Sequence, residues 1–272
     1  MDLREIFEAN RQLWNKRTNV HKDSAFYDVA GFNNGKTALN KIELDGLGDV
    51  TGKKILHLQC HFGLDSLSLS RMGAKVTGID LSDEAISEAK RLNELNHLDA
   101  DFYSCNIYDL LKDETSPLPA QALGSFDIVF TSYGVVGWLP DLDQWANVIA
   151  RYLKKGGIFF MAEFHPVVWM FDDNFTRIQY SYAKDEMIVV ESQGTYADKA
   201  ASIEAKEYSW NHSLGEVING LINQQLTIVS FEEYMYSPYP CFNRVVKNPD
   251  GQWWIEGLEN KIPMVYAIKA VK

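Results

Sequence analysis

One stretch constrains this chain more than any other: Lys54 to Ser82, KILHLQCHFGLDSLSLSRMGAKVTGIDLS. Ile55 to Leu58 is a short apolar run, suited to a strand buried on both faces of a parallel sheet. Residues 59–63 make a loop. Leu64, Leu67, Leu69 and Met72 then recur at helical spacing and stop at Gly73, a residue suited to a left-handed helix cap. Lys75 to Ile79 predicts a second strand, with Asp80 at its tip. The result is a βαβ unit whose acidic residue stands about 20 residues past the loop, the arrangement that binds nucleotides. Loop and helix N–H groups turn toward the ligand, and the carboxylate accepts two hydrogen bonds from a ribose diol. The competing reading makes Asp80 a surface carboxylate that caps the next helix. Ser82 is the better cap there, which leaves Asp80 to the ligand.

His57, Cys60 and His61 invite a metal reading, and their spacing argues against it. His57 belongs to a strand and the other two to a loop, so no helix face gathers them, and the Cys that haem attachment needs is replaced by His57. No metal is expected.

These residues together resemble motif I and the following acidic strand of class I, Rossmann-like S-adenosylmethionine-dependent methyltransferases, in a bacterial small-molecule branch whose loop reads HLQCHFG. The usual family form is an acidic residue and then G-x-G-x-G. Here the matching positions are His57, Gln59, His61 and Gly63, so only the last glycine is kept. A side chain at Gln59 or His61 crowds a backbone that glycine would let approach a ligand. Those side chains either point away or contact the methionine end of the cofactor; contact is the expectation for Gln59, and His61 is left open. The resemblance implies S-adenosylmethionine as cofactor, with contacts from Gln59, Cys60, His61, Gly63, Asp80 and Leu81. Asn106 and Ile107 stand where an acidic residue usually receives the adenine amino group. The Asn106 carbonyl can accept that bond, although an Asn-containing turn explains it equally.

Further along, Phe126 to Phe130 predicts strand four and resembles motif IV, which places Thr131, Ser132, Tyr133 and Gly134 where the methyl group faces the acceptor and makes Ser132 and Tyr133 candidate cofactor contacts. The turn Leu153-Lys154-Lys155-Gly156-Gly157 echoes the family and predicts a helix C-cap glycine before strand five, Ile158 to Phe164. Ala85, Ile86, Ala89 and Leu92 give the helix after Ser82 its buried face, and Asp101 to Ser104 is strand three. Ser213 and Glu216 make a capping-box pair before a last helix. Leu226 to Phe231 and Met264 to Ala270 are closing strands. Within residues 165–212, three segments (Ile178–Tyr182, Met187–Val190, Ile203–Trp210) are expected to form an antiparallel sheet that shapes the substrate pocket or supports a dimer. A hairpin is expected around Asn248-Pro249-Asp250-Gly251.

The N-terminal 50 residues begin with a helix that carries Leu3, Ile6, Phe7, Leu13 and Trp14 on one side. Such an extension resembles the cap that small-molecule methyltransferases fold over the cofactor, and Trp14, His21 and Tyr27 are its candidate contacts. Packing on the outer face of the sheet is the alternative.

The expected fold is therefore α/β: a doubly wound, seven-stranded, mostly parallel sheet with an antiparallel last strand, an N-terminal helical cap and an antiparallel β insertion. It forms a single domain over residues 1–272, with a cap (1–50), a core (51–164 and 213–272) and an insertion (165–212). The net charge of −11 argues against nucleic acid as a partner. Three scattered cysteines predict a reduced, cytoplasmic setting. No signal peptide or membrane span is read from the sequence.

The expected activity is methyl transfer to a small-molecule acceptor by in-line displacement, in a monomer or homodimer. Glu163, His165 and His212 are the candidate bases, should the acceptor need one. The alternatives are a cofactor-binding protein without turnover and an NAD-dependent dehydrogenase, for which no second domain is recognisable.

Overall fold

In the computed structural model, which describes residues 2–272, strand β1 (Lys54–Leu58) lies in the middle of the molecule. It is preceded by helices α1 (Leu3–His21), α2 (Val29–Asn33) and α3 (Lys41–Leu47). Ile55, Leu56 and Leu58 are wholly buried because helices cover both faces of the sheet. Full burial of each such side chain contributes roughly 1.5–3 kcal/mol.

The chain continues through α4 (Leu64–Arg71), β2 (Lys75–Asp80), α5 (Asp83–Leu95), β3 (Ala100–Ser104), β4 (Phe126–Thr131), α6 (Leu142–Tyr152) and β5 (Leu153–Phe164). Then come β6 (Ile188–Gln193), β7 (Glu204–Ser209), α7 (Leu214–Asn223), β8 (Thr227–Tyr234), β9 (Val245–Lys247), β10 (Trp253–Ile255) and β11 (Val265–Val271). The seven-stranded sheet has the order β3-β2-β1-β4-β5-β11-β8. Every pairing in it is parallel except the two made by β11, which runs antiparallel between β5 and β8.

Alternation along the strands sorts the two cores. Leu56, Leu58, Val129, Phe159 and Met161 pack with Trp145 and Ile149 of α6 and Val217 and Leu221 of α7. Ile55, Ile128, Phe130 and Phe160 pack on the other face with Ile42 and Leu47 of α3. His57, set between Leu56 and Leu58, stacks its ring 4.5 Å from Phe130 on that second face.

Three local expectations are corrected. The glycine turn after α6 is not a helix cap. The helix ends at Tyr152, with Leu153 already extended at φ −65° and ψ 136°. Gly156, at φ +74°, instead lies inside β5, where the register jumps from Phe126–Leu153 to Ile128–Ile158. A positive φ lets the strand carry that extra loop of chain. The insertion has two paired strands, β6 and β7, rather than three. Ile178–Tyr182 makes only an isolated bridge, Phe171–Ile178, and Ile178 is exposed, since no core lies beneath it to reward alternation. Finally, Ser213 caps α7 through the Glu216 N–H, but the Glu216 carboxylate sits 2.9 Å from His212 Nδ1, so only half of the capping box forms. The hairpin at residues 248–251 is present as β9 and β10.

Candidate functional site

The loop after β1 sits between β2 and β4, where the chain reverses its direction of winding and where open α/β sheets bind ligands. Its backbone accounts for the missing glycines. Gln59 (φ 58°), His61 (φ 52°) and Gly63 (φ 80°) all take the left-handed conformation. The loop therefore keeps a glycine-like path through two residues that bear side chains, at about 1–2 kcal/mol each. Local hydrogen bonds hold it there: Cys60 N–H to the Ile79 carbonyl at 2.9 Å, Gly63 N–H to the Cys60 carbonyl at 2.9 Å, and Gln59 Nε2 to the Val135 carbonyl at 3.0 Å. At Gly63 the pattern is strict, because a Cβ would lie 2.8 Å from the Phe102 ring and 3.0 Å from Ala89.

Asp80 closes the unit. Its Oδ2 accepts the His61 N–H and its Oδ1 the Ser82 N–H, both at 2.8 Å. Ser82 is the N-cap of α5, through Ala85 N–H, so Asp80 is free of that task. Burial raises the Asp80 pKa to about 6, against the backbone N–H groups that lower it. Asp80 as a residue nevertheless keeps some accessible surface, as do Gln59, His61, Asp65, Ser132 and Tyr133, and these residues border a recess beside the loop.

The N-terminal segment covers the loop. Trp14, His21 and Tyr27 bring their rings to 5.3, 5.2 and 5.3 Å from His61. Trp138 meets Trp14 at 5.3 Å, and the Tyr27 hydroxyl bonds that of Tyr196 at 2.5 Å. Helix α1 is latched on two sides. Asn10 exchanges two hydrogen bonds with the backbone of Tyr208 (2.8 and 3.1 Å), and Arg17 pairs with Glu207 at 2.5 Å, both on β7. On the core side Ser82 Oγ donates to Asn15 Oδ1 at 2.6 Å, and Arg11 pairs with Asp83. The insertion thus holds the cap. Inside this lid several polar atoms are buried without partners: Arg17 Nε, both ring nitrogens of His21, Gln59 Oε1 and His61 Nε2. Burial lowers the His21 pKa to about 3 and takes His61 well below its ordinary range, so both rings are neutral at pH 7.

Below the loop, His57 Nδ1 lies 2.7 Å from Ser66 Oγ and its Nε2 3.3 Å from Ser132 Oγ, which donates to Asp65 Oδ2 at 3.1 Å. A donating Ser132 requires His57 to carry its proton on Nε2 and to accept from Ser66. Burial pushes the His57 pKa down to about 3 and that of Asp65 up to about 6. Tyr133, the next residue, donates its hydroxyl to Glu43 Oε2 of α3 at 3.2 Å.

The three candidate bases do not reach this recess as free groups. Glu163 accepts four backbone N–H bonds, from Gly134 (2.5 Å), Val135 (2.7 Å), Val136 (3.1 Å) and Phe164 (2.6 Å). All its lone pairs are used, and it anchors the loop after β4. His165 turns the other way, its ring 5.9 Å from that of Tyr266 on β11 and its Nε2 2.9 Å from Glu233 Oε1 on β8. His212 donates from Nε2 to the Leu139 carbonyl at 2.7 Å, with Glu216 on its other nitrogen.

Two of the expected cofactor contacts are likewise taken up by packing. The Cys60 thiol is buried, and a Cβ on Gly78 would lie 2.9 Å from its sulfur. The Ile107 side chain belongs to the core that contains Leu58 and Ile79. Asn106 Oδ1 accepts the Tyr108 N–H at 3.1 Å and forms a turn, while Leu81 is half-buried beside it. Sequence reasoning missed Arg17, Glu43, Asp65, Tyr196 and Tyr239, which share no motif and lie far apart in the chain. Among the described residues no group of three or more His, Cys, Asp or Glu side chains could hold a metal, and no helix is long and apolar enough to cross a membrane.

Residues 56–159 match the model of the methyltransferase domain. That segment contains the loop, Asp80 and the tip of β4, and leaves out α1 to α3. The chain is similar to the ubiquinone biosynthesis O-methyltransferase of Xanthomonas oryzae pv. oryzae, with 31% identity over 140 residues, or 50% of this chain and 55% of that one. The protein of the same name from Glaesserella parasuis is 30% identical over 128 residues, 46% of this chain and 52% of that one. The chain thus spans about half the length of the curated relatives it matches. Among solved structures, geranyl diphosphate C-methyltransferase from Streptomyces coelicolor A3(2) superposes with a TM-score of 0.58 at 15% identity, covering 98% of this chain and 97% of that one. An S-adenosylmethionine-dependent methyltransferase from Clostridium acetobutylicum gives 0.58 at 13% identity, covering 95% and 98%. These likenesses show the fold.

Proposed function

We propose that this chain is an S-adenosylmethionine-dependent methyltransferase acting on a small-molecule acceptor. The observation that carries the reading is the recess itself. A loop of left-handed residues, a strand-tip carboxylate and a set of buried, unpartnered polar atoms converge where the methyltransferase fold binds its cofactor. The residues fit that molecule. The Asp80 carboxylate accepts backbone N–H groups of His61, Ser82 and Leu81, and a carboxylate has about four acceptor sites, so capacity remains for a ribose hydroxyl. Arg17 Nε, Gln59 Oε1 and His61 Nε2 offer polar partners to an amino-acid end. Trp14 and Tyr27 close over the loop through their ring contacts with His61 and so exclude water from it.

When bound, the cofactor supplies an electrophilic methyl group on a sulfonium. The protein's part is to hold the acceptor in line with it, a positioning effect that needs no protein nucleophile. The names of the curated relatives support oxygen as the acceptor atom. The net charge of −11 disfavours a nucleic-acid substrate. Titration calorimetry tests the reading: S-adenosylhomocysteine should bind and NAD should not. NAD binding without a response to S-adenosylhomocysteine would instead make the protein a dehydrogenase.

A further inference from the structure

Two carboxylates are wholly buried beside the tip of β4, and they are treated in opposite ways. Glu163 has four backbone N–H donors. Glu43 has fewer and weaker donors: the Tyr133 hydroxyl at 3.2 Å on Oε2, the Asn40 amide at a long 3.4 Å on Oε1, and its own backbone N–H. Among the described residues no Lys, Arg or His forms an ion pair with it. The titratable groups that face it are Asp65 from α4, Tyr133 after β4, and Tyr236 and Tyr239 after β8, so its surroundings are acidic or neutral. A buried carboxylate this poorly satisfied is costly, and packing alone gives no reason to keep one. Its closest side-chain partner, moreover, is the phenol of Tyr133, which follows Ser132 at the mouth of the recess.

The wall around Tyr133 is aromatic. Tyr239 and Phe164 meet its ring at 5.2 and 5.4 Å, and Phe26 lies 5.7 Å from Tyr239 and 5.4 Å from Tyr196. Such walls suit a flat apolar guest. With Asp65 and Glu43 behind them, they disfavour one that arrives as an anion.

Building on the methyl-transfer reading, we propose that Tyr133 and Glu43 form a proton-accepting pair beside the acceptor, and that the acceptor is a neutral, flat phenol. As the acceptor oxygen bonds to the methyl carbon and the sulfonium C–S bond breaks, the acceptor proton passes to the Tyr133 oxygen. The Tyr133 proton passes in turn to Glu43 Oε2. Charge balances: a neutral acceptor becomes a neutral ether, the sulfonium becomes a thioether, and the carboxylate becomes an acid. Tyr133 is the catalytic residue, because it touches the acceptor, and Glu43 is a positioning residue that acts through it. Burial supports these roles by raising the Glu43 pKa to about 7 and keeping the Tyr133 phenol protonated.

The test compares the wild-type protein with Glu43→Gln and Tyr133→Phe on two probes at pH 8, catechol (mainly neutral) and 4-nitrocatechol (mainly a phenolate). Glu43→Gln should bind S-adenosylhomocysteine with wild-type affinity, and both variants are assayed at saturating cofactor. Each should lower kcat for catechol about 10²–10⁴-fold, the usual worth of a general base, while 4-nitrocatechol is methylated as fast as before or faster. An equal loss on both probes would make the pair structural, and no loss on either would remove it from the reaction. A wild-type protein that binds S-adenosylhomocysteine but methylates neither probe overturns the acceptor class. Failure to bind S-adenosylhomocysteine at all defeats the underlying reading instead.

Discussion

Replacing Glu163 with Gln separates anchoring from catalysis. The side chain is 1% exposed and stands at the end of β5 with two backbone N–H groups on each oxygen. Gln keeps one carbonyl oxygen and places an NH₂ group where the other oxygen was, so two N–H donors face a donor. Each orphaned buried donor costs about 1–3 kcal/mol, which sums to roughly 2–6 kcal/mol. A chain of this size has a urea dependence near the upper end of the usual range, about 3 kcal/mol per molar, so the unfolding midpoint should fall by roughly 1–2 M. Urea unfolding followed by tryptophan fluorescence reads this directly. Methyl transfer should fall only through the loosened loop at residues 134–136, and it should recover in part at saturating cofactor. An unchanged midpoint with turnover abolished would refute the anchoring argument and restore Glu163 as a base.

Asp80→Ala should weaken S-adenosylhomocysteine binding about ten- to a hundredfold, or roughly 1.4–2.8 kcal/mol by calorimetry. It should also lower stability, by about 1–3 kcal/mol for each of the His61 and Ser82 N–H groups that stays without an acceptor. Normal affinity with a lower melting temperature would leave Asp80 a purely structural role. Glu43 gives a stability profile of defined sign. Its pKa rises from 4.5 to about 7 on burial, so its stabilising contribution is complete below pH 4.5 and is lost as pH climbs to 7, a change of roughly 3 kcal/mol. Glu43→Gln should therefore melt above wild type at pH 8 and flatten the profile between pH 4.5 and 7, with Asp65 and Asp80 retaining part of the slope. A variant whose profile matches wild type would show that Glu43 is not buried as a charge.

The sequence by itself determined the βαβ unit and the succession of strands and helices that builds the core. These are written in local periodicity, in apolar runs for doubly buried strands and in helical spacing between them, whereas the antiparallel direction of the last strand was implied only by the family resemblance. Asp80 was legible for the same reason, because its distance from the loop is a distance along the chain. Ile178–Tyr182 misled because alternation predicts a strand only where a core lies beneath it, and none does. Gly156 misled because a positive φ serves a bulge as readily as a helix cap. The candidate bases were placed by their nearness to strand ends, and that criterion says nothing of the partners waiting for them. Only the tertiary structure showed that Glu163 is saturated by backbone N–H groups, that His165 faces the far edge of the sheet, and that β7 latches α1 over the loop. The same holds for the recess. Arg17, Glu43, Asp65, Tyr196 and Tyr239 meet Tyr133 there from separate segments, and apart from Tyr133 each looks ordinary in its own stretch of sequence. What brings them together is packing, which depends on every element around a group and is encoded in no single segment.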